Sequence, residues 1–141
     1  MAKKMSESEI DAFLKQPLHA VLATHSADGP PHVSPVWFLY EDFRFYISIV
    51  GGSVKHRNLE KDPRMSLCVD GGREDVRAVM IYGTAKLVAE GSEPEAMRWR
   101  ITRHFHASEA DARHYYESIR ELPNVLVVLE PARIVSQDFN D

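Results

Sequence analysis

Apolar positions along this chain switch between a helical and a strand period. Ile10, Phe13 and Leu14 recur at helical spacing behind Ser6-Glu7-Ser8-Glu9, which reads as a capping box with Ser6 at the N-cap and Glu9 at N3; Pro17 stops the run. From His19 to His25 the pattern is that of a strand centred on Val21, Leu22 and Ala23. Asp28-Gly29-Pro30-Pro31 turns the chain, and His32 to Leu39 returns as the second arm of a hairpin. Pro35 lies inside that arm and cannot donate to a ladder, so its place is an edge, a bulge or a gap facing a ligand. Glu41-Asp42 leads into a third strand, Arg44 to Ile49, and Met65 to Val69 reads as a fourth.

Arg77 to Val88 is a long strand, with Arg77, Val79, Ile81 and Gly83 on one face and Ala78, Met80 and Tyr82 on the other. Gly83 within it marks a bulge or a close backbone approach. Ser92-Glu93-Pro94-Glu95 reads as a second capping box, opening a helix with Met97, Ile101 and Phe105 on one stripe. Ser108 caps a further helix through Tyr115 and Ile119, which Pro123 breaks. Val125-Leu126-Val127-Val128-Leu129 reads as a strand buried on both faces; Pro131 interrupts it, and Arg133 to Phe139 resumes as extended chain. About six strands at close spacing, with helices only at the start, middle and late insert, predict one mainly β domain over 1–141. The order favours an antiparallel barrel with peripheral helices over an alternating βαβ sheet.

The 141 residues suffice for one domain with a core. A formal net charge of −4 gives no general basic field for nucleic acid or an anionic membrane, so any cationic cluster is local and suits a small anion. The single cysteine, Cys68, excludes an internal disulfide, fits a reducing, cytoplasmic compartment, and reads as an inert thiol packed in its strand. No apolar run approaches the roughly 20 residues of a membrane span, and the basic start lacks the apolar core of a secretory signal. The seven histidines include no helical His-x-x-x-His pair, and no Cys-x-x-Cys exists, so spacing predicts no metal site.

One stretch is wired against its own helix. Gly51-Gly52 breaks the third strand and Ser53 is a good N-cap, so Val54, Lys55, His56, Arg57 and Asn58 begin a short helix. A helix start carries about half a positive charge and disfavours nearby cations by roughly 0.3–1 kcal/mol each. Either Lys55, His56 and Arg57 are solvated surface charges, or an anion such as a phosphate gathers them with the free backbone N–H groups. Pro35-Val36-Trp37-Phe38 has a similar double reading, as core packing at a sheet edge or as a flat apolar wall for a planar ring. Arg77 is a surface charge or a second anion contact. Trp99, Arg100 and Arg103 form a solvated basic face or line a cleft at a subunit boundary.

The ordered set of stretches resembles the flavin-binding split-barrel family, the pyridoxamine 5′-phosphate oxidase-like proteins. The resemblance runs from Leu22-Ala23-Thr24 through Ser34-Pro35-Val36-Trp37-Phe38, Phe45-Tyr46-Ile47-Ser48, Ser53 to Leu59 and Asp62-Pro63-Arg64. It continues through Arg77, Tyr82-Gly83-Thr84-Ala85 and the closing Pro131 to Phe139, and is weakest over 90–121. It implies a six-stranded antiparallel split β-barrel that forms a homodimer, with two cofactor sites at the subunit interface. The ring would lie along Ser34, Pro35, Val36, Trp37 and Phe38. The phosphate would lie near Ser48 and the segment Ser53, Val54, Lys55, His56, Arg57 and Asn58, with Arg77 as a further contact. Within the family the Ser34–Phe38 form looks most like the branch using coenzyme F-420 rather than FMN. Ser34 stands where true pyridoxamine phosphate oxidases tend to carry a phosphate-binding arginine, and their C-terminal substrate signature is missing. The implied activity is therefore hydride transfer between bound F-420 or FMN and a small conjugated or aromatic substrate. The alternatives are a cofactor carrier without turnover, and a haem-binding split barrel with His104 or His106 as ligand.

Overall fold

A computed structural model describes residues 2–141. Seven antiparallel strands form one sheet in the order β2-β1-β5-β6-β7-β4-β3. The strands are β1 (His19–Thr24), β2 (His32–Val36), β3 (Leu39–Glu41), β4 (Arg44–Val50), β5 (Arg64–Asp70), β6 (Arg77–Val88) and β7 (Asn124–Asp138). The helices are α1 (Glu7–Leu14), α2 (Val54–Lys61), α3 (Glu93–His104) and α4 (Glu109–Ile119). The expected second strand, His32 to Leu39, is in fact two, which raises the count from six to seven. His32–Val36 pairs with β1, the chain breaks at Trp37 and Phe38, and Leu39 begins a new strand, running on to Glu41, that pairs with β4. These are the two edges of the sheet, yet only Trp37 and Phe38 separate them. A trans chain advances at most ~3.8 Å per residue, so the edges must lie close and the sheet must curl. The result is a split barrel, and Pro35 lies on its edge strand, where a missing N–H breaks no inner ladder.

The barrel interior holds Leu22, Phe38, Phe45, Ile47, Leu67, Val69, Val79 and Ile81, all at most 1% exposed, with Phe13 and Leu14 of α1 joining them. The apolar run of β7 serves two cores, because alternate residues point to opposite faces. Val125, Val127 and Leu129 face the barrel, while Leu126 and Val128 face outward and are covered by Met97 and Ile101 of α3. That is why five successive apolar residues are all buried.

Pro131 does not end the last strand. β7 runs on to Asp138, and its register with β6 slips between Tyr82↔Arg133 and Gly83↔Pro131, leaving Ala132 as the extra residue of a bulge. Gly83 makes room for it: a Cβ there would stand 2.1 Å from the Glu130 carbonyl oxygen. Gly83→Ala is therefore expected to cost about 1–3 kcal/mol of stability, measured by chemical denaturation; an unchanged midpoint would mean that the bulge gives way freely.

The caps differ from one helix to the next. Ser6 and Glu9 form the expected box, and Ser53 and Ser108 accept from the N–H groups of His56 and Asp111. The box expected at Ser92 does not form. Ser92 has helical backbone angles, and an N-cap needs extended ones to aim its hydroxyl at the first turn. Glu95 turns instead to Arg98 and Tyr116.

Candidate functional site

Where β2, β4 and the start of β7 approach α3 and α4, they leave a cleft of about 430 Å³, within the roughly 300–1,000 Å³ of small-molecule sites. One wall is strand: Pro35, Val36 and Trp37 from the split, and Ser48, Ile49 and Val50 from β4. The other is helical, with Arg98, Ile101 and Thr102 from α3 and Tyr115 and Ile119 from α4. Leu122, Pro123 and Asn124 close the end, and Lys55 of α2 and His19 reach in at the side.

Of the residues expected to hold a ring and phosphate, the fold brings Pro35, Val36, Trp37, Ser48 and Lys55 to this cleft. Ser34 joins through its hydroxyl, 3.4 Å from Lys55 Nζ. The others have different surroundings. Phe38 is fully buried in the barrel core, because the split swings it inward where Trp37 stays at the cleft. Ser53 is the cap of α2, and Val54 and Arg57 lie on its exposed side. Asn58 donates to the buried Thr24 hydroxyl at 3.1 Å and so ties α2 to β1. Arg77 lies away from the cleft, ion-paired with Asp75 at 2.7 Å and 4.9 Å above the Phe13 ring.

His56 corrects the charge count at the helix start. Its Nδ1 accepts from the Gly52 N–H at 2.9 Å, so the ring extends the cap of α2 rather than adding a cation to it. Lys55 is different. It is half-buried, its ammonium has Ser34 as partner, and no carboxylate lies within 4.0 Å of it among the described residues. The cleft thus carries a cation without a counter-charge beside a helix N-terminus, on a mainly apolar lining that also holds Ser48, Thr102, Asn124 and the Glu95-paired Arg98.

Trp37 is less open than an unpaired wall would be. It stacks on Phe105 at 5.0 Å and 8°, meets Tyr115 at 5.1 Å, and is edge-on to His106. His106 Nδ1 lies 2.7 Å from the Thr102 carbonyl, and that carbonyl only accepts, so Nδ1 carries the proton. His104 stands edge-on to Phe105 and lines a shallow outer groove with Leu39, Trp99, Arg100 and Arg103. No group of three or more potential metal ligands occurs among the described residues. Burial pushes the Cys68 thiol up, with Asp70 adding to it, as suits an inert packed cysteine.

Sequence reading missed the helical half of the cleft. The buried Arg98 forms the joint between the two helices: it donates to the carbonyls of Ile119, Arg120 and Leu122 at 3.0–3.2 Å and to Glu95. Burial raises the Glu95 carboxyl, but hydrogen bonds from Tyr116 and Arg98 outweigh that and hold it below its usual range. An arginine among the apolar residues of α3 was the available signal. Asn124 was missed as well; it accepts from Ser48 Oγ at 2.5 Å. No helix among the described residues is long and apolar enough to cross a membrane.

A curled antiparallel sheet split between two edge strands, with a cleft beside the split, defines a split-barrel protein. Residues 6–138 match the family model described as pyridoxamine 5′-phosphate oxidase, and the chain belongs to that family. One relative is a 5a,11a-dehydrotetracycline/5a,11a-dehydrooxytetracycline reductase of Streptomyces rimosus, 38% identical over 87 residues that span 56% of this chain and 61% of the relative. Among solved structures, a conserved hypothetical protein from Mycobacterium tuberculosis superposes with a TM-score of 0.73 at 27% identity, over 95% of this chain and 85% of that one. A protein described as an F420 reductase superposes with a TM-score of 0.69 at 21% identity, over 88% and 94% of the two chains. At that identity the second likeness shows the fold alone.

Proposed function

We propose that this protein is a reductase that binds a flavin or deazaflavin and passes hydride between it and a small conjugated or aromatic substrate. The observation that carries this reading is Lys55, a half-buried ammonium without a counter-charge, opening onto a cleft of ring-sized volume with apolar walls. Such a cation is stable there when an anion completes it, and a phosphate-bearing planar cofactor supplies both the anion and the ring. The donor set fits: Lys55 is the lining cation without a counter-charge, Arg98 being held by Glu95; Trp37 and aliphatic side chains offer an apolar wall for the ring, and Ser48 and Asn124 are among the polar groups that can meet its heteroatoms. F-420 is put ahead of FMN because the Ser34–Phe38 segment has the form of that branch.

When bound, the cofactor supplies hydride exchange at its ring. The chain's own residues bind, orient and exclude water. Lys55 and the start of α2 would hold the phosphate, with Ser34 aligning the ammonium. Val36, Trp37, Ile49 and Ile101 would flank the ring and exclude water from the cleft. No side-chain acid or base is assigned. The spectrum of the purified protein after addition of FMN or F-420, followed by turnover of the reduced cofactor with a panel of conjugated ketones, tests the reading. A bound spectrum and substrate-dependent reoxidation are expected; binding of neither cofactor at micromolar concentration would overturn it. Binding without turnover of any acceptor would point to a carrier.

The reading includes a homodimer. Across five strands the register aligns Pro35, Val21, Cys68, Met80 and Val135 in one row on the outer face of the sheet, away from the core. Val21 and Val33 on that face are 44% and 62% exposed, an apolar surface suited to a second copy. Pro35 belongs both to this row and to the cleft, which would bring the partner to the edge of the site. The expected interface buries more than ~2,000 Å² in total, the range of permanent dimers. Sedimentation at low micromolar concentration checks it, and a monomer there would refute it.

A further inference from the structure

Ser48 and Asn124 stand 76 positions apart and meet in the cleft at 2.5 Å. A third group, outside the cleft, decides which of them donates. Asn124 Nδ2 lies 2.9 Å from the Pro94 carbonyl oxygen. A carbonyl oxygen only accepts, so the Asn124 atom against Pro94 is the amide nitrogen, and the atom against Ser48 is the amide oxygen. That oxygen has no proton, so the Ser48 hydroxyl donates to it. The hydroxyl proton is thereby held inside the protein, and Ser48 turns only lone pairs toward the cleft. Asn124 keeps one of its two N–H bonds unclaimed by Pro94.

We propose that the ligand atom seated on Ser48 is a hydrogen-bond donor, an N–H or O–H of a neutral ring edge or polyol chain, and that the phosphate sits at Lys55 instead. This rests on the flavin or deazaflavin reading of the cleft and departs from the expectation that Ser48 holds phosphate. A phosphate dianion has no proton to give. Set against Ser48 it would face lone pairs, or it would draw the hydroxyl proton away and leave the Asn124 oxygen without its partner. A hydroxyl or imide N–H meets neither difficulty, and a hydroxyl can also accept from the free Asn124 N–H. Lys55 is the complement: its ammonium offers three protons and no lone pair, and Ser34 takes one of them at 3.4 Å. The cleft therefore has a polarity, with a cation at the α2 side and a fixed acceptor between β4 and β7.

Two ligand pairs that differ at the phosphate-bearing end test this: FMN with riboflavin, and F-420 with its phosphate-free deazariboflavin core. The quantity read is the ratio of dissociation constants within a pair, phosphate-free over phosphorylated. Lys55→Ala is expected to weaken the phosphorylated member by roughly ten- to a hundredfold and bring the ratio toward one. Ser48→Ala is expected to weaken both members equally, by roughly two- to tenfold, and leave the ratio as it was. If the alanine variant does not fold, Ser48→Cys, which keeps the size but is a weak acceptor, is read in the same way. A Ser48 variant that lowers the ratio as Lys55→Ala does would put the phosphate on Ser48 and overturn the assignment while leaving the flavin reading intact. A Ser48 variant with both affinities unchanged would overturn it as well. A parent protein that binds neither pair would overturn the flavin reading, and this assignment with it.

Discussion

Lys55→Ala is expected to lower the affinity for FMN or F-420 by roughly ten- to a hundredfold, the loss of one charge-assisted hydrogen bond of about 1.5–3 kcal/mol. The free protein is expected to be unaffected or slightly more stable, by a few tenths of a kcal/mol. Both halves follow from the same geometry. Lys55 is the second residue of α2, where the helix dipole opposes a cation, and the bonding partner given to it by the fold is a neutral hydroxyl. Removing it therefore breaks no ion pair of the free chain. Arg57, two residues on, is exposed and points away from the cleft lining, so Arg57→Ala should cost much less affinity. Ser53→Ala acts through the cap and should weaken free and bound forms alike by about 1 kcal/mol. Thermal shifts of the three variants with and without each cofactor separate these outcomes. Should Lys55→Ala bind like the parent, the cation is surface decoration and the phosphate lies elsewhere. Raising salt should shrink the Lys55 effect only in proportion to how far the bound phosphate stays open to solvent.

Arg98→Ala is expected to lower stability by about 3 kcal/mol, with α4 the first element to loosen. The last carbonyls of a helix have no partner within it, and at the end of α4 the guanidinium of Arg98 supplies one to Ile119, Arg120 and Leu122 together. Arg98 is only 5% exposed, so water does not readily take its place. Lysine presents a point charge instead of a planar fork, and Arg98→Lys should recover less than half of the loss. The effect should reach function because Tyr115 and Ile119 of α4 form part of the cleft wall. Hydrogen exchange resolves the claim. Amides of α4 should exchange faster in the variant, well ahead of those in β5 and β6. Uniform acceleration across the sheet, or none in α4, would show that Arg98 is not the joint.

The amino-acid sequence by itself determined most of the strands, three of the four helix caps and the double burial of Val125–Leu129. Each is a matter of neighbours a few residues apart: a serine before a run, a two-residue alternation, a glycine pair that ends a strand. It also marked Lys55, His56 and Arg57 together by their misplaced charge, and Gly83 as a bulge or a place of close approach. Tertiary structure decided what those local signals leave open. His32 to Leu39 reads locally as one strand, and only the curl of the sheet splits it, sending Phe38 into the core and leaving Trp37 at the cleft. His56 looked cationic until the turn at Gly52 brought an N–H to its ring. Pro131 read as an interruption between two extended stretches; Gly83 on the neighbouring strand makes room for a bulge that keeps them one strand. The helical wall of the cleft, and the bond between Ser48 and Asn124, depend on residues brought together across long stretches of chain. Local periodicity carries no information about such meetings, because strand register and the packing of α3 on β7 choose the partners, and those are properties of the assembled barrel.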